Sequence, residues 1–118
     1  MDYFRKATAT SPAVIMDAQY QSVLIKGSST CINMDEYGSV LKVIQVQLNR
    51  GNYSDVNIKL SHFNTRAAKA LLLLFKSIKT SNKSIAINWV YDKSNEEMKQ
   101  MGQDYSDLLE MEFNFSCN

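Results

Sequence analysis

Residues 55–78 read DVNIKLSHFNTRAAKALLLLFKSI, and this stretch decides the fold. In its first half Val56, Ile58 and Leu60 alternate with Asn57, Lys59 and Ser61, the period of a strand with one buried face. The period then changes. Ala67, Ala70, Leu71, Leu74, Phe75 and Ile78 recur at intervals of three and four, the core stripe of an amphipathic helix. A strand therefore runs directly into a helix across Ser61-His62-Phe63-Asn64-Thr65-Arg66. Leu72 and Leu73 fall outside the stripe, and four successive leucines cover most of a helix circumference at ~100° per residue. The helix is either buried on two sides or carries part of an interaction surface.

Upstream, Ala13–Met16 reads as a short strand, Asp17–Gln21 as a turn and Ser22–Lys26 as the hairpin partner, ending at Gly27. Asn33 followed by Glu36 fits a variant capping box, and Tyr37, Leu41, Ile44 and Leu48 continue at helical spacing until Gly51-Asn52 stops the element. Downstream, Ser84–Tyr91 is a third strand-like run, rich in Ile, Trp and Tyr. Ser94 with Glu97 forms a second capping-box candidate, Met98, Met101, Tyr105 and Leu108 follow as a helical stripe, and Met111–Phe115 closes as a strand. Helices placed between strands favour parallel pairing by right-handed crossovers, whereas the opening hairpin is antiparallel. The expected fold is α/β: one domain over residues 1–118, a mixed sheet of four to five strands, and about three helices packed mainly on one face.

With 118 residues, 45% of them hydrophobic, the chain has enough apolar side chains for one core without staples. The longest apolar run, Ala70–Phe75, is far short of the ~20 residues of a membrane span. The opening residues lack the basic-then-apolar pattern of a secretory signal, so a cytoplasmic protein without membrane insertion is expected. Cys31 and Cys117 make neither a disulfide framework nor a metal motif and read as reduced thiols. The formal net charge of +1 argues against a nucleic-acid binder. It hides an asymmetry: residues 42–83 carry eight basic side chains against Asp55 alone, and residues 92–112 carry seven acids against Lys93 and Lys99. Such a split steers partners of complementary charge, or the two patches lie side by side in the fold.

Catalytic constellations are missing. His62 is the one histidine, and its neighbours form no nucleophile motif. Glu96-Glu97 sits where a helix start favours acids anyway. There is no Walker loop or dinucleotide fingerprint, no cofactor is expected, and no catalytic or metal-ligating set emerges. Tyr53, Phe63, Trp89 and Tyr91 could stack on bases but are mostly explained as strand residues with an apolar face. At the strand-to-helix junction, Thr65 has two readings. A hydroxyl at a helix start is commonly a cap; it is also a place where a phosphate of about −1.5 to −2 charges would be solvated by free amides. Arg66 and Lys69 either pair with such a phosphate or form a solvated basic edge.

Phe63-Asn64-Thr65 followed by Ala68-Lys69-Ala70-Leu71-Leu72 resembles the SiaC family of small bacterial regulatory phosphoproteins. Thr10-Ser11-Pro12-Ala13-Val14, Ile25-Lys26-Gly27-Ser28-Ser29, Asn88-Trp89-Val90-Tyr91-Asp92, and Glu97-Met98 with Gly102 and Phe113-Asn114 agree in the same order. The chain departs from the family's usual pattern at Cys31-Ile32, before Asn33, and at Arg66-Ala67-Ala68. The resemblance implies a fold similar to the STAS domains of anti-sigma-factor antagonists, with Thr65 as phosphoacceptor. It implies an anti-sigma-type serine/threonine kinase, a metal-dependent protein phosphatase, and a GGDEF-type diguanylate cyclase bound and activated by the unmodified form in biofilm regulation. Thr65 with Asn64, Arg66, Lys69, Leu72 and Leu73 would then form the docking surface, which phosphate on Thr65 closes. Two other readings stand beside it: an anti-sigma antagonist that sequesters a kinase through the same Thr65 chemistry, and a small enzyme using His62 with Asp92.

Overall fold

In the computed structural model, which describes residues 3–29, 34–81 and 84–117, the 55–78 stretch forms β4 (Asp55–Phe63) and α2 (Thr65–Thr80), separated by Asn64 alone. Before them come β1 (Tyr3–Arg5), β2 (Ala13–Asp17), β3 (Ser22–Ser29) and α1 (Met34–Arg50); after them β5 (Ala86–Tyr91), α3 (Glu96–Leu109) and β6 (Asn114–Cys117). Cys31 and Asn33, and with Asn33 the capping pair expected with Glu36, lie outside the described residues.

The six strands form one sheet in the order β1-β2-β3-β4-β5-β6. β1, β2 and β3 pair antiparallel, whereas β3, β4, β5 and β6 are parallel neighbours. Each parallel step crosses through one helix in the same direction, so right-handed crossovers place α1, α2 and α3 on one face. α2 accordingly packs between α1 and α3. The core lies between the layers. Val56, Ile58 and Leu60 of β4 meet Ala67, Ala70, Leu71, Leu74, Phe75 and Ile78 of α2, as their spacing predicts. Phe75, Trp89, Tyr105 and Phe113 add an aromatic cluster with centroids 5.2–6.3 Å apart, mostly edge to face, the arrangement that ring quadrupoles favour.

The fold class agrees with the sequence reading, with differences of detail. β3 runs past Gly27 to Ser29, β5 starts at Ala86 and not at Ser84, and Tyr53 is buried just before β4 and not in a strand. The sheet has six strands, because Tyr3–Arg5 adds an edge strand to β2. Three residues with one exposed aromatic are too short to show a period. The closing strand starts at Asn114 and not at Met111, whose backbone is taken up by the end of α3: its amide donates to the Ser106 carbonyl at 3.1 Å. α3 is capped by Asn95, whose side chain accepts from the Met98 amide at 3.1 Å, and not by Ser94. Leu109, not Leu108, is the buried leucine at its end; Leu108 is exposed.

Gly27, at φ +120°, occupies a region side chains rarely adopt, where the β3–β4 register shifts by one residue. Gly102 serves a close approach. A Cβ there would stand 2.6 Å from the indole of Trp89, which is buried and donates to the Met98 carbonyl at 2.8 Å.

Candidate functional site

The strand-to-helix junction is built by Asn64. Its extended backbone (φ −123°, ψ 177°) turns the chain from β4 into α2, and its side-chain oxygen accepts from the Ala67 amide at 2.9 Å. Its carbonyl accepts the first helical bond, from the Ala68 amide at 2.9 Å. Asn64 is therefore the cap, and Thr65 is the first helical residue. Thr65 is exposed, and among the described residues its hydroxyl has no hydrogen-bond partner. The capping role considered for Thr65 is filled one residue earlier.

Two clefts flank α2. Toward α3, a cleft of about 520 Å³ is lined by Asn64 and Thr65 on one side and Glu97, Gln100, Met101 and Asp104 on the other. Toward α1, a groove of about 430 Å³ has Leu41 and Ala70 in its floor, Leu73 on its wall, and Lys42, Arg66 and Lys69 around it. The oppositely charged stretches of the sequence thus lie side by side, acids on the Thr65 flank and bases on the other. Arg66, Lys69 and Leu73 are brought together; Leu73 is 63% exposed, while Leu72 is half-buried against the core. The run of four leucines therefore serves both ends named by the sequence: Leu71 and Leu74 are core, Leu73 is surface.

The spacing of α2 and α3 is fixed by side chains reaching backbone. The Tyr105 hydroxyl donates to the Ala68 carbonyl at 2.5 Å, one turn from Thr65, and Lys79 Nζ donates to the Leu109 carbonyl at the far end of both helices. Sequence reasoning missed Glu97 and Asp104 as the wall opposite Thr65. The signal was present: they stand seven residues apart, two helical turns on one face, beside Gln100 and Met101.

His62 and Asp92 sit at the carboxyl ends of β4 and β5 and line a third cleft with Lys26, Lys59, Ser94 and Asn95. His62 is exposed, its Nδ1 3.2 Å from Ser61 Oγ. Asp92 is occupied in a turn: Oδ1 accepts from the Ser94 hydroxyl at 2.7 Å and the Ser94 amide at 2.9 Å. These bonds, with the charge of Lys59, hold its carboxyl below the ordinary carboxylate range. Ser94 is the donor in that turn, and the cap of α3 is the next residue, Asn95. Among the described residues no three metal-ligating side chains come together, and no helix is long and apolar enough to cross a membrane.

Residues 5–117 match the sequence profile of the SiaC family regulatory phosphoprotein. No curated protein matches the chain. Among solved structures it is similar to apo-SiaC from Pseudomonas aeruginosa, with a TM-score of 0.76 at 21% identity, covering 100% of this chain and 98% of that one. It is also similar, with a TM-score of 0.81 at 21% identity over 98% of each chain, to a chain in the complex of the diguanylate cyclase SiaD with its activator SiaC, from the same organism.

Proposed function

The chain belongs to the SiaC family of regulatory phosphoproteins, and on that premise we propose that it is a non-enzymatic partner switch whose phosphoacceptor is Thr65. SiaC of Pseudomonas aeruginosa is the activator of the diguanylate cyclase SiaD; the effector assigned here is a cyclase of that kind. The unphosphorylated form binds and activates it in the cytoplasm, an anti-sigma-type kinase modifies Thr65, and a metal-dependent phosphatase reverses the modification. The docking surface comprises Asn64, Arg66, Lys69 and, of the two leucines considered, the exposed Leu73; Leu72 packs against the core.

One observation carries the reading. Asn64 caps α2, so the Thr65 hydroxyl is left exposed and without a structural task at the positive end of a helix dipole. Phosphate there leaves the cap bond intact and changes the surface, not the fold. It adds about two negative charges facing Glu97 and Asp104 and beside the basic rim formed by Arg66 and Lys69. An acidic partner surface attracted to that rim is then repelled. Desolvating an unpaired charge costs several kcal/mol, against about 8 kcal/mol for a micromolar complex.

The test is phosphosite mapping by mass spectrometry on protein from its host, paired with cyclase affinity for Thr65→Ala and Thr65→Glu. Partial occupancy at Thr65, full binding by the alanine variant and at least tenfold weaker binding by the glutamate variant are expected. Equal affinities for the two variants refute the switch.

A further inference from the structure

The sheet face opposite the helices has no described element packed on it, and its side chains follow a pattern. One row runs in register across all six strands: Phe4, Ile15, Leu24, Asn57, Asn88, Asn114. The first three make an apolar stripe whose outermost member, Phe4, is 55% exposed. The last three form a ladder: Asn114 donates to Asn88 at 3.0 Å and Asn88 to Asn57 at 2.8 Å. On one side of this row lie Asp17, Ser22, Asp55 and Ala86, in register with one another. On the other lie Ala13, Lys26 and Lys59, with Val90 on β5. The flanks therefore carry opposite charge, and Lys26 stands directly across from Lys59, whose charge Asp92 shares at the strand ends.

We propose that this face binds a second copy of the chain through a twofold axis running across the strands, along the Phe4–Asn114 row. Any in-plane twofold axis brings the face against itself, and the two that keep the strands of the copies aligned differ in what they pair. An axis along the strands would set the apolar stripe on the asparagine ladder. The axis across them sets Phe4, Ile15 and Leu24 on their own counterparts and ladder on ladder, and it exchanges the two flanks. Asp55 of each copy then faces Lys59 of the other, Asp17 comes within one strand spacing of Lys26, and Ala86 meets Val90. Isologous closure requires this self-complementarity. Five strand spacings of ~4.8 Å by two side-chain steps of ~7 Å, with side-chain margins, give about 500 Å² per partner. The total of about 1,000 Å² is at the lower bound of specific interfaces and fits a dissociable dimer. The proposal is independent of the Thr65 reading: α2 and its two clefts lie on the opposite layer and stay open in the pair.

Sedimentation equilibrium of the full chain from about 5 to 500 µM tests it. The expected result is a monomer–dimer equilibrium with Kd of tens to hundreds of micromolar, weakened by salt. Leu24→Asp and Lys59→Asp should each raise Kd at least tenfold, with unchanged far-UV circular dichroism. The Asp55→Lys/Lys59→Asp double variant should recover to within about threefold, because every copy then supplies the exchanged pair. A chain monomeric at 500 µM overturns the proposal and leaves the face to another occupant. So does a dimer indifferent to Leu24→Asp and Lys59→Asp, and so does a double variant no tighter than Lys59→Asp alone.

Discussion

Replacing Asn64 with alanine separates the two tasks that meet at the start of α2. The substitution deletes the oxygen that accepts from the Ala67 amide at 2.9 Å and leaves the backbone path and the Thr65 hydroxyl in place. Loss of an N-cap costs about 1 kcal/mol, with a range of about 0.5–2. With a urea slope of about 1.5–2 kcal/mol per molar, the unfolding midpoint should fall by roughly 0.5 M. Thr65→Ala removes an exposed hydroxyl without a partner among the described residues, so its effect should stay within about 0.5 kcal/mol. Asn64→Asp keeps an accepting oxygen at the positive helix end and should restore the midpoint. The assay is urea denaturation followed by circular dichroism at 222 nm for wild type and the three variants. If Thr65→Ala loses as much as Asn64→Ala, Thr65 is a structural residue, and if Asn64→Ala loses nothing, the Asn64 cap carries no stability; either result refutes the reasoning.

Gly102→Ala drives a methyl group to 2.6 Å from a buried indole. The gain of about 1 kcal/mol in helix propensity should be outweighed by overpacking of about 1–3 kcal/mol, seen as a lower melting temperature and altered Trp89 fluorescence. Asp92 titrates below its ordinary value, so the turn it accepts into is fully present above the unfolded carboxylate pKa and is lost as pH falls through the folded one. Ser94→Ala removes the largest cause of that shift and should move the Asp92 carboxyl titration upward in carbon-detected NMR; an unmoved titration would place the cause elsewhere.

The two periods on either side of Asn64 made β4, α2 and the parallel sheet legible, because burying one face of each element dictates the spacing directly. Leu73 was legible as one of two alternatives, and packing chose between them. The caps were harder. Ser94 and Thr65 are both plausible capping residues beside an asparagine, and only the backbone path shows that Asn95 and Asn64 hold the accepting oxygens. β1 was illegible because three residues carry no period. The acidic face of α3 was legible from the spacing of Glu97 and Asp104, but that it stands opposite Thr65 was not, because the two helices meet side by side from more than thirty residues apart in the chain and such a pairing leaves no local signature.

The order of strands across the sheet is the order in which they occur in the chain. Each new strand is laid on the outer edge of the one before it, and no strand is inserted between two already formed. A ribosome releases the chain at roughly 5–20 residues per second, amino end first. The residues of β2 and β3 are therefore released before those of α1, and β4, β5 and β6 each follow the strand they pair with after one intervening helix. Such an order lets the sheet be extended along one edge in the sequence of synthesis, with β6 the last of its strands to be released.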